Sequence, residues 1–115
     1  MERVLQALAD PTRRRMLDLL TRGEMTAGEL ARHVPEISRP AASQHLAVLR
    51  EAGLVSERTE GRYRIYRLEA EPLRQLWEGW LAKYQVFWTG RLAELKRLVE
   101  SDEWDEEEKK DGEQG

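Results

Sequence analysis

Arg39, Ser43 and Gln44 stand within six positions of one another, in a stretch that holds no acidic residue before Glu51. If residues 39–52 are helical, Pro40, Ser43, Gln44 and Ala47 share one face. That face is small, polar and free of acid, which is what a helix needs to enter the major groove of DNA. Small residues allow close approach, a glutamine amide pairs bidentately with adenine, and an arginine reaches guanine or phosphate. The free N–H groups at the helix start also favour a phosphate. His45 falls toward the apolar side, so it is read as a packing or phosphate-contact residue rather than a base reader. A second basic cluster follows, with Arg58, Arg62, Arg64 and Arg67 set around Gly61 against Glu57 and Glu60. A hairpin tip of this kind can lie along a phosphate backbone or enter the minor groove. Each feature alone is ordinary, since many surface helices have a polar face and charge often protects an edge hairpin. Side by side, they point to double-stranded DNA.

Other chemistries lack their residues. The chain has no Cys, which removes disulfides, thiolate metal sites and a Cys nucleophile. Its two histidines are His33 and His45, and His33 suits the last turn of a helix better than a ligand role. No nucleophile–base pair, Gly-rich phosphate loop or carboxylate constellation is present. The run Glu106-Glu107-Glu108 reads as a solvated tail. Neither an enzyme nor a metal or other cofactor is expected.

The elements that must position the basic residues are legible in order. Val4, Leu5 and Leu8 mark a short first helix over residues 2–9. Asp10-Pro11 gives an N-cap with proline behind it, opening a second helix to about residue 22, with Gly23 as its stop. Thr26-Ala27-Gly28-Glu29 is a capping-box pattern that starts a short third helix, with Leu30 inward and Pro35 as its end. Ser38 caps the fourth helix, whose Ala42, Leu46 and Leu49 form a core stripe and which Gly53 closes. Two short helices with a tight connection are the sequence form of a helix-turn-helix. Residues 54–59 and 62–68 read as a β-hairpin. A long last helix is predicted over residues 71–100.

The 115 residues fit one domain, 40% hydrophobic and 36% charged. The net charge of −3 argues against nucleic acid until it is located. Residues 101–115 hold eight acids and two lysines, leaving the first 100 residues a net charge of +3. The expected organisation is therefore a functional domain over residues 1–100 and an acidic, disordered tail over 101–115. With no signal-peptide pattern and no run of about 18 apolar residues, a cytoplasmic protein free of the membrane is expected.

The last predicted helix carries Leu73, Leu76, Trp77, Trp80, Tyr84, Trp88, Leu92, Leu95 and Val99 in a three-and-four rhythm. Gly79 and Gly90 interrupt it at about 1 kcal/mol each relative to Ala. So much aromatic surface on an outer helix calls for a partner, and a symmetric copy is the simplest one. Val4, Leu5, Leu8, Trp77, Trp80, Tyr84, Trp88 and Leu92 are the expected interface of a homodimer.

The segments Leu8-Ala9-Asp10-Pro11-Thr12-Arg13, Ser38-Arg39-Pro40-Ala41-Ala42-Ser43-Gln44-His45-Leu46 and Leu49-Arg50-Glu51-Ala52-Gly53-Leu54-Val55 together resemble the ArsR-type winged helix-turn-helix repressors. Gly61-Arg62 with Tyr66 and Leu68 completes the likeness, which covers about residues 2–100. It implies a mainly α fold with a small β-hairpin, in the order α-α-α-α-β-β-α, dimerising through its terminal helices. It also implies that positions 39, 40, 43 and 44 face the major groove while the wing contacts backbone. Ala42 stands where the family more often has Val. Metal-sensing members carry a Cys-containing motif on the third helix or Asp/His and His/Glu pairs on the last, and this chain has neither. The expected function is a sequence-specific DNA-binding regulator, a repressor on an imperfect inverted repeat, answering to an unidentified inducer. The alternative is a winged-helix protein-interaction module without DNA binding.

Overall fold

A computed structural model of the chain describes residues 1–89 and 96–100. The order is α1 (Glu2–Leu8), α2 (Pro11–Leu20), β1 (Met25–Thr26), α3 (Ala27–Arg32), α4 (Arg39–Glu51), β2 (Val55–Glu60), β3 (Tyr63–Leu68) and α5 (Glu71–Gly79), then a 3-10 segment, Leu81–Phe87. Met1–Arg74 forms one compact unit and a second begins at Gln75.

Three helix starts in the first unit are fixed by side chains acting on orphan backbone donors. Asp10 accepts from the Arg13 amide at 3.0 Å. Thr26 and Glu29 form the reciprocal box, with the Glu29 amide donating to Thr26 Oγ1 at 3.1 Å and the Thr26 amide to Glu29 Oε1 at 2.9 Å. Ser38 Oγ accepts from the Ala41 amide at 3.2 Å. At the far end of α4, Gly53 takes φ +77°, a left-handed conformation that L side chains rarely adopt. It turns the chain so that the Leu54 amide reaches the Leu49 carbonyl at 3.0 Å.

The core holds Met16, Leu30, Val34, Leu46, Leu49 and Leu54, all fully buried. Full burial of a side chain of this size is worth roughly 1.5–3 kcal/mol. The predicted stripe of α4 is what enters: Ala42, Leu46 and Leu49 are all buried. Val4, expected between copies, is only 7% exposed and belongs to the core of its own chain. Leu5 and Leu8 are half-buried.

The sheet has one strand more than the hairpin expected from the sequence. Its order is β1-β3-β2, with Met25 and Thr26 opposite Tyr66 and Ile65. Two residues are too few to show an alternation, and Thr26 also caps α3. The hairpin register runs from Val55 opposite Leu68 to Glu60 opposite Tyr63. The turn is therefore Gly61-Arg62, one residue later than the 60–61 turn implied by the strands expected at 54–59 and 62–68, with Gly61 at φ +61°.

The long last helix is not continuous. α5 stops at Gly79, and Trp80 leaves helical geometry at φ −142°, ψ −58°. Glycine has the highest conformational entropy to lose in a helix, and the segment beyond it lacks the burial that sustains most protein helices. Leu76 is buried, while Trp77, Trp80, Tyr84, Phe87 and Trp88 are exposed. Trp80 and Tyr84 meet edge to face, with ring centroids 6.0 Å apart. Residues 96–100 are again helical. Leu92, Leu95, Gly90 and the tail at 101–115 lie outside the described residues. Among the described residues no helix is long and apolar enough to cross a membrane.

Candidate nucleic-acid interface

α4 packs on α1, α2 and α3 through its buried stripe, which turns the opposite face outward. Arg39, Pro40, Ser43 and Gln44 are exposed and Ala47 is half-buried. Among the described residues, the side chains of Arg39, Ser43 and Gln44 have no hydrogen-bond partner in the chain, so all three keep their capacity for a ligand.

His45 lies apart from that set. Arg13 Nη1 donates to its Nδ1 at 3.2 Å, and Asp10 Oδ2 stands 3.9 Å from the same nitrogen. Guanidinium is a donor only, so Nδ1 must accept and the ring proton sits on Nε2. Arg13 also donates from Nε to the Ala7 carbonyl and from Nη2 to the Gln6 carbonyl, both at 2.9 Å. One side chain thus closes the C-terminal carbonyls of α1 and holds the neighbour of Gln44 on α4. His45 is a fixing point of the helix.

The wing arginines divide by strand alternation. Arg64 shares a sheet face with Tyr66, whose hydroxyl donates to Glu57 Oε2 at 2.7 Å. Burial and this bond push the Tyr66 hydroxyl up to about 12. Arg58 and Arg67 lie on the other face. Arg58 Nη1 and Nη2 fork onto Glu24 at 2.7 and 2.9 Å, and its Nε donates to Glu60 at 2.8 Å. Arg67 is held on Glu69 at 2.8 Å. Arg58, expected to contact DNA, is therefore committed to two carboxylates. Arg62 lies over the Tyr63 ring at 5.7 Å, and neither Arg62 nor Arg64 forms an ion pair among the described residues.

Arg39, Arg62 and Arg64 line one open groove of about 530 Å³ with α3 residues, among them Arg32. Arg32 has no sequence signal for this role, because it stands at the end of α3, outside both basic clusters. Glu29 shares the groove, but its carboxylate is bound by the Thr26 amide, which holds it below the usual carboxylate range. The groove is therefore a surface of convergent cations beside an acid-free helix face. A helix-turn-helix whose second helix offers that face, next to an arginine-bearing hairpin, defines a winged helix-turn-helix DNA-binding domain.

Comparison with known proteins agrees. Residues 8–58 match a family described as a helix-turn-helix domain. The chain is 43% identical over 101 residues to the HTH-type transcriptional regulator Rv2034 of Mycobacterium tuberculosis, covering 88% of this chain and 90% of that protein. It is 43% identical over 74 residues to the transcriptional repressor SdpR of Bacillus subtilis, covering 64% of this chain and 81% of that one. The solved structure of an ArsR-like transcriptional regulator from Rhodococcus sp. RHA1 aligns with a TM-score of 0.67 at 35% identity, covering 87% of this chain and 90% of that one. The chain belongs to the ArsR-type winged helix-turn-helix transcriptional regulators.

Among the described residues, both histidines are already engaged within the chain. His33 Nδ1 donates to the Glu29 carbonyl at 2.9 Å, and His45 Nδ1 accepts from Arg13. Glu29 is used in the capping box and Glu36 pairs with Arg15. Among the described residues no group of three or more His, Cys, Asp or Glu could hold a metal ion.

Arg13 generates a prediction. Arg13→Lys keeps the charge but loses the fork to Gln6, Ala7 and His45, and should destabilise the chain by about 1–3 kcal/mol. Urea unfolding monitored by circular dichroism measures it; stability equal to the parent would show that the fork is not a structural link.

Proposed function

We propose that the chain is a transcriptional repressor that binds an imperfect inverted repeat in double-stranded DNA as a homodimer. Arg39, Ser43 and Gln44 read base edges from α4, with Pro40 allowing close approach, while Arg62 and Arg64 hold phosphates. The observation that carries the reading is the unpartnered, acid-free face of α4, whose Arg39 lines one groove with Arg62 and Arg64. Residues 1–100 serve as the DNA-binding and dimerisation domain, 101–115 as an acidic tail, and the protein works in the cytoplasm. The reading includes no catalytic activity and no metal, so release from DNA comes from another source: a small apolar molecule beside Trp77 and Trp80, a protein partner, or falling protein concentration.

Dimerisation is proposed through Trp77, Trp80, Tyr84 and Trp88, with Leu5 and Leu8 in the same role. Each of the four aromatic residues is at least 38% exposed, and aromatic side chains of this kind are enriched at interface cores. Leu92, on the same apolar rhythm of the sequence, belongs to the proposed interface as well.

Two outcomes are expected. Gln44→Ala should cost on the order of 1–3 kcal/mol of operator affinity and relax preference at one base position per half-site. Selection of duplexes from a random-sequence pool by parent and variant reads this, and identical selected sequences would refute the face assignment. Sedimentation at micromolar concentration should give a dimer for the parent and a folded monomer or unfolded chain for Trp80→Glu. A well-folded monomeric parent would refute the proposed assembly.

A further inference from the structure

We propose that Glu24 and Arg58 form a strap across the sheet that sets the angle of the wing, making Arg58 a positioning residue for DNA binding. The inference rests on the DNA-binding reading above but concerns a pair that contacts no DNA in it.

The hairpin outgrows its support. β1 pairs with β3 only at Tyr66 and Ile65, while β2 and β3 continue to Glu60 opposite Tyr63. The tip that carries Arg62 is therefore a two-stranded ribbon, and such ribbons twist more freely than wider sheets. Arg58 stands at the last fully supported row, opposite Ile65, which is itself opposite Thr26. From β2 its guanidinium reaches Glu24, one residue before β1, in the bidentate fork at 2.7 and 2.9 Å. Its remaining nitrogen takes Glu60 at the tip at 2.8 Å. One planar group thus ties the β1 edge, the outer strand and the start of the tip.

Isolated exposed ion pairs contribute little to stability, and forked, networked ones are the exception. The strap is accordingly expected to govern orientation more than global stability. Its sign separates it from plain electrostatics. Removing a negative charge from Glu24 should tighten DNA binding if only the overall field matters. It should also tighten binding if it frees Arg58 for a phosphate. It should weaken binding if Arg58 must be held.

The test uses the full chain and the duplex that the parent selects from a random-sequence pool. Glu24→Gln and Arg58→Lys should each weaken binding roughly three- to tenfold, with the salt slope unchanged. Amide exchange at residues 59–64 should quicken in both variants, while that at Met16, Leu17 and Leu46 stays at the parent rate. The exchange reads the strap whether or not the duplex binds, so its failure is distinct from failure of the DNA reading. Binding by Glu24→Gln equal to or tighter than the parent would overturn the proposal, as would unchanged exchange at the tip in either variant.

Discussion

The burial of one stripe of α4 is the constraint on which the rest of this structure depends. Ala42, Leu46 and Leu49 occupy the centre of the core, and a helix that commits one face has no freedom over the other. Arg39, Ser43 and Gln44 are outward because Leu46 and Leu49 are inward. The tight turn to α3 and the glycine after Ala52 then fix where the helix begins and ends. Arg13 ties His45, next to Gln44, to the end of α1. A rotation of α4 would both expose leucines and break that tie, so the candidate reading face is held by packing and by a charged hydrogen-bond link together.

Charge in this molecule is sorted by partner rather than by abundance. The run Arg13-Arg14-Arg15 would count as a basic patch, yet Arg13 and Arg14 take the last carbonyls of α1, and Arg15 takes the His33 carbonyl at the end of α3. Cations at helix C-termini satisfy orphan carbonyls and oppose the dipole's negative end. On the wing, Arg58 and Arg67 neutralise carboxylates on one face of the sheet, whereas Arg64 on the other face shares a groove with Arg39. A functional cation is one with no carboxylate already at ion-pair distance, and that is a property of the fold.

The same sorting explains what is legible in the residues alone. The caps at Asp10, Thr26 and Ser38 are local events over three or four residues, and so is the apolar spacing of α4. The hairpin is legible from its alternation and Gly61. The two-residue strand at Met25-Thr26 is not, because its only signal is a partner about forty residues away. The break at Gly79 is hidden by an unbroken apolar rhythm, which records what a partner would cover rather than what a single chain can hold as a helix. Nearness in sequence groups Arg58 with Arg62 and Arg64, although strand alternation places Arg58 and Arg64 on opposite faces once the register is known. The fork onto Glu24 spans 34 positions and has no sequence signature.

The central claim is that the unpaired arginines of the groove meet phosphate while the carboxylate-paired Arg58 and Arg67 do not. The salt dependence of operator binding tests it most directly, since each neutralised phosphate adds about one unit to the slope of log affinity against log salt. Arg62→Gln and Arg64→Gln should each flatten that slope by about one unit for every phosphate left unneutralised. Arg67→Gln, which removes the same formal charge from the same hairpin, should leave it unchanged. An equal flattening by all three substitutions would mean that the wing acts through its total charge alone, and would contradict the sorting of arginines by partner.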